Sequence, residues 1–374
     1  MVAKGRRRAF ASIARSIPRC LVALVGAYLF VGHFLAGSGV LEPTAPTSTS
    51  CPERYHPSFT AYHLKQISAR RIVKGAAEAA DKVKRGSSSN PEGPPTVVLF
   101  LSDAKYGVRF PEMIKTWSHF AGGKSSLVML ALDDATDAFF RAEGIPTIRL
   151  VPEEIEPEHS IREAVLQAKL VVPYVFLLKG MRVVMVEMDV YCRSNPLRFD
   201  NGTAEILVTA HDERDKSREV NVGFWVAHPT CPVIDSFRRM QAWATDPHRK
   251  GAYCDEAFDQ KLMNFAWLGT GPVSAGSKTR CQRFPQRDRI FDPRVDKPVA
   301  LHSISFEHIM HWTDPPDQDR DTWPNNPNTI CVHLWSGFGK PTAQARYGYA
   351  HGWYPPESES EAKEAMVRLQ SLGI

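Results

Sequence analysis

The sequence predicts an α/β fold: a mostly parallel sheet with flanking helices, preceded by a single N-terminal transmembrane helix. Two observations lead to this prediction. From Thr96 onwards, short apolar runs alternate with segments of helical spacing, a pattern typical of parallel sheets with helices on both faces. Ahead of them, Cys20 to Ala36 form an uncharged apolar run of 17 residues, and the uncharged stretch continues to Leu41. That length is just enough to cross a bilayer as one helix.

The charge around this apolar run predicts its orientation. Residues 1–19 contain six basic residues and no acid. Because basic residues stay on the cytosolic side, we expect residues 1–19 to be a cytosolic tail, residues 20–41 a signal anchor and the remainder lumenal. A cleaved signal peptide is the alternative, since the small residues Ala36, Gly37 and Ser38 follow the apolar core. The short span favours the thinner membranes of the early secretory pathway.

Composition and motifs exclude several classes of protein. The formal net charge is +5, but without the basic tail the chain carries 40 basic against 41 acidic residues. Nothing in that balance supports nucleic-acid binding. No G-x-G-x-x-G follows the first predicted strand and no P-loop is present. Dinucleotide-binding and ATPase functions are therefore not indicated.

Residues 42–95 have the composition of a stem. A Pro/Ser/Thr-rich stretch at 42–57 cannot build a core, Ala61 to Arg85 has helical composition, and Gly86 to Pro95 is a linker. We therefore predict a globular domain at residues 96–355, followed by a C-terminal tail or helix at 356–374.

Beyond the membrane span the chain carries two kinds of site that are typical of secretory proteins. Six cysteines allow up to three disulfides whose pairing the sequence leaves open: Cys51, Cys192, Cys231, Cys254, Cys281 and Cys331. Asn201-Gly202-Thr203 is an N-glycosylation sequon, although such matches are frequent by chance.

Within the domain, the periodicity predicts these elements in order. Strands are expected at Thr96–Leu101, Leu127–Leu132, Thr147–Val151 and Ile206–Ala210, and helices at Phe110–Phe120, Thr136–Glu143 and from Ser160 to Gly180. A further helix begins near Asp259 and ends near Trp267. Ser160 and Glu163 form a capping box at the start of the third helix.

The central stretch of the chain is Val183 to Pro196. An apolar run leads directly into two carboxylates, Glu187 and Asp189. Residues i and i+2 of a strand share a face, so both side chains are expected to point the same way. Two adjacent carboxylates repel unless a cation lies between them, and a divalent metal that also binds a phosphate would resolve the conflict. The alternative is a strand end with two solvated acids.

Short blocks spaced over most of the predicted domain resemble one known family. They are Ala131-Leu132-Asp133 with Gly144-Ile145-Pro146; Lys169 with Glu187-Met188-Asp189 and Asn195-Pro196; Asn221-Val222-Gly223-Phe224 with Pro229-Thr230; Asp259-Gln260 with Asn264-Phe265; and His333, Gly337 and Lys340 with Gly352-Trp353. In this order they resemble the nucleotide-diphospho-sugar transferases, the retaining group that includes plant arabinosyl- and xylosyltransferases. The family usually has Asp-x-Asp at its centre, where this chain has Glu187.

The resemblance implies a GT-A-like, Rossmann-type domain and a metal-dependent donor site. Mn²⁺ is the expected cofactor, with Mg²⁺ as a possibility, because imidazole beside carboxylates suits Mn²⁺. The implied metal ligands are Asp189, His333 and Glu187; the implied donor-binding residues are Asp103, Tyr106, Lys169, Glu187, Asn221, Gly223, Gly337 and Lys340; and the implied catalytic residues are Asp259, Gln260 and Asp212, with His211 beside Asp212.

Structural roles remain open for several of these residues. A single histidine such as His333 is more often structural, and Lys340 could be a solvated loop charge. Gly223 could mark a strand bulge, and Asp259 could simply complement a helix dipole.

The expected protein is therefore a type II Golgi membrane glycosyltransferase. It would move a sugar from a UDP-sugar to a glycan or glycoprotein acceptor, with retention of configuration. One alternative is an inactive Golgi relative that binds glycan or a partner enzyme, which Glu187 favours. The other is a secreted binding module, which requires signal cleavage after Ala36.

Overall fold

The computed structural model describes residues 67–86, 93–150, 161–210, 220–244, 258–268, 299–312, 326–334 and 340–373. The helices in these ranges are α1 Ile67–Gly86, α2 Phe110–Phe120, α3 Asp134–Ala142, α4 Ile161–Leu178, α5 Cys231–Ala244, α6 Phe258–Leu268, α7 Pro341–Ala350 and α8 Glu359–Ser371. The strands are β1 Thr96–Ser102, β2 Leu127–Ala131, β3 Thr147–Arg149, β4 Arg182–Glu187, β5 Val190–Cys192, β6 Ile206–Ala210, β7 Val220–Ala227, β8 Leu301–Ile304, β9 Ile309–Trp312 and β10 Cys331–Leu334.

The larger sheet has seven strands in the order β3-β2-β1-β4-β7-β6-β8. Strands β3, β2, β1 and β4 pair in parallel, and so do β6 and β8. Only β7, within this sheet, runs antiparallel to its neighbours β4 and β6. This arrangement confirms the predicted α/β fold with a mostly parallel sheet.

Both faces of the sheet are covered, which explains why its strands are continuous apolar runs. On β1, Val97 and Leu99 face one core cluster, which also holds residues of α1, α4, α5 and α6. Val98 and Phe100 face the opposite cluster, which holds residues of α2 and α3. Burying these side chains stabilises the fold by about 25 cal/mol per Å² of apolar surface.

Local signals set the ends of the helices around the sheet. The Asp133 carboxylate accepts a hydrogen bond from the Thr136 backbone amide at 2.8 Å and so caps the start of α3. After α4, Gly180 has a φ of 72°, the left-handed conformation that glycine adopts without strain. The chain then turns directly into β4.

Helix α1 packs on the sheet, although it precedes the predicted domain start at residue 96. Its buried residues Ile72, Ala76, Ala79 and Val83 lie in the same core cluster as the inner strands. Their spacing places them on one face of the helix. This segment, expected as a stem helix, thus contributes to the domain core.

A second, three-stranded sheet follows the order β5-β10-β9. Strand β10 pairs antiparallel with β5 and parallel with β9. A disulfide joins Cys192 on β5 to Cys331 on β10, which settles one pairing that the sequence leaves open. Helices α7 and α8 pack on this sheet through a third apolar cluster that includes Tyr191 and Trp353. The small sheet thereby brings β10 beside the end of β4.

None of the helices in the described ranges is long and apolar enough to cross a membrane. The predicted anchor at residues 20–41 and the capping residue Ser160 lie outside those ranges.

Candidate metal and donor site

Three side chains converge at the carboxyl end of β4. Glu187 is the last residue of that strand, Asp189 follows it, and His333 lies on β10. His333 Nε2 is 3.1 Å from Asp189 Oδ1 and 3.4 Å from Glu187 Oε2. One ligand atom from each residue lies within 4.8 Å of the other two. The cluster occupies the sheet edge where parallel α/β folds bind their ligands.

Asp189 reaches this cluster from a turn, not from the strand. The expectation that Glu187 and Asp189 share one strand face is therefore wrong, since β4 ends at Glu187 and β5 begins at Val190. The turn folds back because β5 pairs with β10, and the Leu334 amide donates to the Asp189 carbonyl at 2.8 Å. This pairing brings the Asp189 side chain to His333.

A hydrogen bond at Nδ1, the second ring nitrogen, orients the His333 ring. The Gly223 amide donates to Asn221 Oδ1 at 2.8 Å, which identifies that atom as the amide oxygen. The same oxygen lies 3.1 Å from His333 Nδ1, so Nδ1 carries the hydrogen and donates to it. Nε2, directed at the carboxylates, then carries the lone pair that a metal ion needs.

The carboxylates also control the protonation of His333. Burial by itself would lower the pKa of the imidazole, but the charges of Asp189 and Glu187 outweigh it and raise the pKa to about 10. Without a metal, the imidazolium therefore supplies positive charge between the two acids. A divalent cation would take the place of that proton.

These residues fit a divalent cation. Metal–ligand bonds of about 2.0–2.3 Å place neighbouring ligand atoms roughly 3 Å apart, close to the spacing in this cluster. Asp189 Oδ1 is a buried atom that faces His333 Nε2 at 3.1 Å, so a cation would bind where the His333 proton lies. Two carboxylates with one imidazole suit Mn²⁺ or Mg²⁺ better than a soft metal.

Lys169 on α4 lies next to the cluster and contacts two carboxylates. Its Nζ forms an ion pair with Glu187 and a second one with Asp259 Oδ2 at 2.5 Å. Burial would lower the pKa of Lys169, but the charges of Asp259 and Glu187 outweigh it and raise the pKa. In Glu187, burial raises the pKa and Lys169 more than offsets it, so the carboxyl stays ionised. Two ion pairs thus link the predicted residues Lys169, Glu187 and Asp259.

Asn221 and Gly223 lie on β7, and Gln260 follows Asp259 in the first turn of α6. The pairing of β6 with β7 is irregular after Val208, as a bulge near Gly223 would require. Asn264 of α6 donates to the Val220 carbonyl at 3.0 Å and so ties this helix to β7.

Two further predicted residues lie after β1. Asp103 accepts from the Lys105 amide at 3.1 Å and caps a short helix. Burial, and then the charges of Asp189 and Glu187, raise the pKa of the Tyr106 hydroxyl.

The remaining predicted residues are Lys340 and three that lie outside the described ranges. Lys340 is exposed at the start of α7 and forms no ion pair with the described residues. His211, Asp212 and Gly337 lie outside the described ranges. Sequence reasoning also missed Arg109, which is buried beside the Asp189 turn. No spacing rule marks it, but a basic residue between apolar Val108 and Phe110 was a weak signal.

We expect Gly223→Ala to displace His333. A Cβ at this position would lie 2.5 Å from His333 Cε1 and 2.7 Å from Nδ1, which are impossible contacts. Because the ring is buried, it cannot relieve this clash without shifting relative to Asn221 and the carboxylates. Calorimetric titration should show Mn²⁺ affinity lowered by about 10-fold or more. Gly93→Ala is the control, since a Cβ there meets nothing within 4 Å and its φ is not in the positive, left-handed region; equal affinity losses would contradict the expectation.

The fold places a candidate cation site of two carboxylates and an imidazole at the ligand-binding edge of an α/β sheet. The family model of the nucleotide-diphospho-sugar transferases matches residues 123–313, about half of the chain. The chain belongs to the nucleotide-diphospho-sugar transferase family. This confirms the family that the sequence resembles, while the plant-type subgroup stays a prediction.

Solved structures give a more distant likeness. The bifunctional glycosyltransferase WbbM is 11% identical with a TM-score of 0.41, over 73% of this chain and 52% of that one. The galactosyltransferase LgtC, solved with donor and acceptor sugar analogues, is 14% identical with a TM-score of 0.38, over 71% and 100% of the two chains. The chain thus spans about half the length of WbbM. No curated protein sequence matches the chain.

Proposed function

We propose that this glycosyltransferase transfers a sugar from a UDP-sugar to a glycan or glycoprotein acceptor with the help of Mn²⁺. The observation that carries the proposal is the cluster of Glu187, Asp189 and His333 at the end of β4. Family membership supports a nucleotide-sugar donor, and a cation at this position lies where its diphosphate would bind. Retention of configuration follows from the resemblance to the retaining group.

Asp189, His333 and Glu187 would hold the cation. Bound there, it would supply positive charge to the diphosphate that leaves with the nucleotide. The protein's own residues prepare the site. Asn221 orients His333, as described above, and Lys169 pairs with both Glu187 and Asp259.

Asp259 is the carboxylate best placed to stabilise positive charge on the sugar. It lies at the start of α6, and Lys169 holds it on the same side as Glu187. Gln260 beside it, and Asp212 as predicted from the sequence, would orient sugar or acceptor hydroxyls. Tyr106 and Asp103 after β1 would contact the nucleotide.

The experiment that tests the function is a donor-hydrolysis screen. Full-length protein in detergent is incubated with a panel of UDP-sugars, with and without Mn²⁺, and free UDP is measured. Release of UDP from one donor, dependent on the metal, supports the proposal. Failure to release UDP from any donor, together with no heat of UDP binding, would contradict it.

The second candidate function is a catalytically inactive relative that binds glycan or a partner enzyme. Glu187, where the family usually has aspartate, is the observation that favours it. In the structure this longer side chain reaches both Lys169 and His333. Because the glutamate makes both contacts, we favour a working site adapted to glutamate.

Glu187→Asp should therefore weaken the site. The shorter side chain can no longer reach both Lys169 and the cation, and we expect Mn²⁺-dependent UDP affinity to fall by ~10-fold. Calorimetric titration of UDP with Mn²⁺ into both proteins is the measurement. If the natural protein gives no heat and Glu187→Asp binds UDP, the inactive relative is the correct function.

We further propose that the protein is a single-pass type II protein of the Golgi membrane with a lumenal catalytic domain. The basic tail and the apolar run at residues 20–41 support this location. The sequon residues Asn201, Gly202 and Thr203 are exposed, and Thr203 Oγ1 donates to Asn201 Oδ1 at 2.7 Å.

Protease added to sealed microsomes should consequently spare the domain, and an N-glycosidase should lower its mass. Asn201→Gln should remove the mass shift. Asn195→Gln should keep it, because Asn195 is not part of a sequon. A domain digested in sealed vesicles would refute the orientation.

A further inference from the structure

Arg109 is a buried cation that contacts the backbone on both sides of Asp189. Its side chain is 1% exposed, at the end of the short helix before α2. Its guanidinium donates to the Met188 carbonyl and, at 2.5 Å, to the Val190 carbonyl. These two carbonyls flank Asp189, so one planar group holds both ends of the turn that presents this carboxylate.

The position of the guanidinium is itself constrained by its neighbours. It lies over the Tyr191 ring, 3.5 Å from the ring centroid, and forms an ion pair with Glu112 at 3.3 Å. Thr116 donates to Glu112 at 2.8 Å. On the α7 side of the Tyr191 ring, a Cβ at Gly348 would lie 2.6 Å from the ring edge. The Tyr191 ring therefore cannot move towards α7, and the Arg109 guanidinium cannot move in that direction either.

We infer that Arg109 is a positioning residue that sets the distance between Asp189 and His333, and with it the cation affinity of the site. The inference rests on the proposed metal-dependent function. Arg109 does not contact the ligand atoms; it acts through the turn backbone. Two donors in a fixed fork can hold two carbonyls at once, which a lysine ammonium at the end of a flexible chain cannot do in the same geometry.

If the ion pair between Arg109 and Glu112 had only a structural role, a different experimental result would be expected. Loss of such a pair would lower the stability of the whole domain without any special effect on the turn. A matched pair exists at the other end of β4, where Arg182 bonds Asp200 at 2.9 Å. Both pairs join an arginine to a carboxylate that is largely buried, but only Arg109 contacts the Asp189 turn.

The test compares Arg109→Met/Glu112→Gln with the control Arg182→Met/Asp200→Asn in the full-length protein. Each double variant removes both charges, so no buried charge is left alone. Two quantities are measured: Mn²⁺ affinity by calorimetry, and amide hydrogen exchange of the turn without metal. We expect the Arg109 variant to raise the Mn²⁺ Kd by about 10- to 100-fold and to speed exchange at residues 188–190 and 334. The control should do neither, even where its thermal midpoint falls.

Arg109→Lys is the second variant, in case the double variant does not fold. It keeps the charge beside Glu112 but loses the fork, so we expect an intermediate Kd. Unchanged Kd and exchange in the Arg109 variants, or equal changes in the control, would overturn the inference. A natural protein that binds no Mn²⁺ overturns the proposed function instead. In that case, faster exchange confined to the turn still supports the positioning role, and unchanged exchange overturns it.

Discussion

Replacing Asp189 by asparagine is expected to lower the rate of sugar transfer by about 100-fold or more, because the site loses a charged ligand next to the leaving diphosphate. The folded protein should tolerate the change, since an amide keeps the shape and can still accept from His333. The stabilisation that Mn²⁺ gives the natural protein, about 2.7 kcal/mol at a concentration 100 times the Kd, should disappear. Steady-state rates and thermal unfolding with and without Mn²⁺ are the measurements.

The control for this prediction is Asp134→Asn. Asp134 is a similar carboxylate on α3 whose side chain is 98% exposed and paired with Arg149 at 2.9 Å. It should change neither the rate nor the Mn²⁺-dependent shift in unfolding temperature. If Asp189→Asn keeps its Mn²⁺ dependence, the cation binds elsewhere.

Lys169→Met should destabilise the domain by about 3–5 kcal/mol, as expected when one partner of a buried ion pair is removed. The Lys169 side chain is 10% exposed and lies between the carboxylates of Glu187 and Asp259. Without it, Asp259 loses this ion pair and Glu187 keeps only its contact with His333. Urea unfolding gives the change in free energy, and transfer activity should be lost as well because Asp259 is no longer held.

The matched control is Lys179→Met, at the residue that directly follows α4. Lys179 pairs with Asp81 at 3.3 Å, but both side chains are well exposed, so its loss should cost about 0–1 kcal/mol. Adding Asp259→Asn to Lys169→Met should recover part of the lost stability, because it removes the charge of the acid that has lost its ion pair. If Lys169→Met lowers the free energy of unfolding no more than Lys179→Met does, solvent screens the three charges.

The order of strands and helices was predictable because burial on both faces leaves a strong sequence signal. Strands β1, β2 and β4 are unbroken apolar runs, and the helices between them repeat at helical spacing. The antiparallel direction of β7 was not predictable, since its apolar residues carry no information on direction. Helix α1 was assigned to the stem by its composition, although its alanines at Ala76, Ala79 and Ala80 already marked a face that can pack closely.

The candidate site likewise combines residues that the sequence could identify with residues that only the structure could. Glu187 and Asp189 were recognisable as a pair because they are neighbours in sequence, although the turn between them was not foreseen. His333 could be assigned only from a family resemblance, because nothing in the sequence links residue 333 to residue 189. The bridging position of Lys169 depends on how α4 and α6 pack, and that is a tertiary property.

The disulfide between β5 and β10 also has a consequence for the order in which the protein is made. Cys192 and Cys331 are 139 residues apart in sequence, and the ribosome releases the chain from its N-terminus. When β5 emerges, Glu187 and Asp189 are already present, but His333 and its strand have not been synthesised. The nascent domain must therefore carry two neighbouring acids without their imidazole until β10 arrives and the oxidised bond locks it in place. Closure of that bond and completion of the three-ligand set are thus one late event in biogenesis.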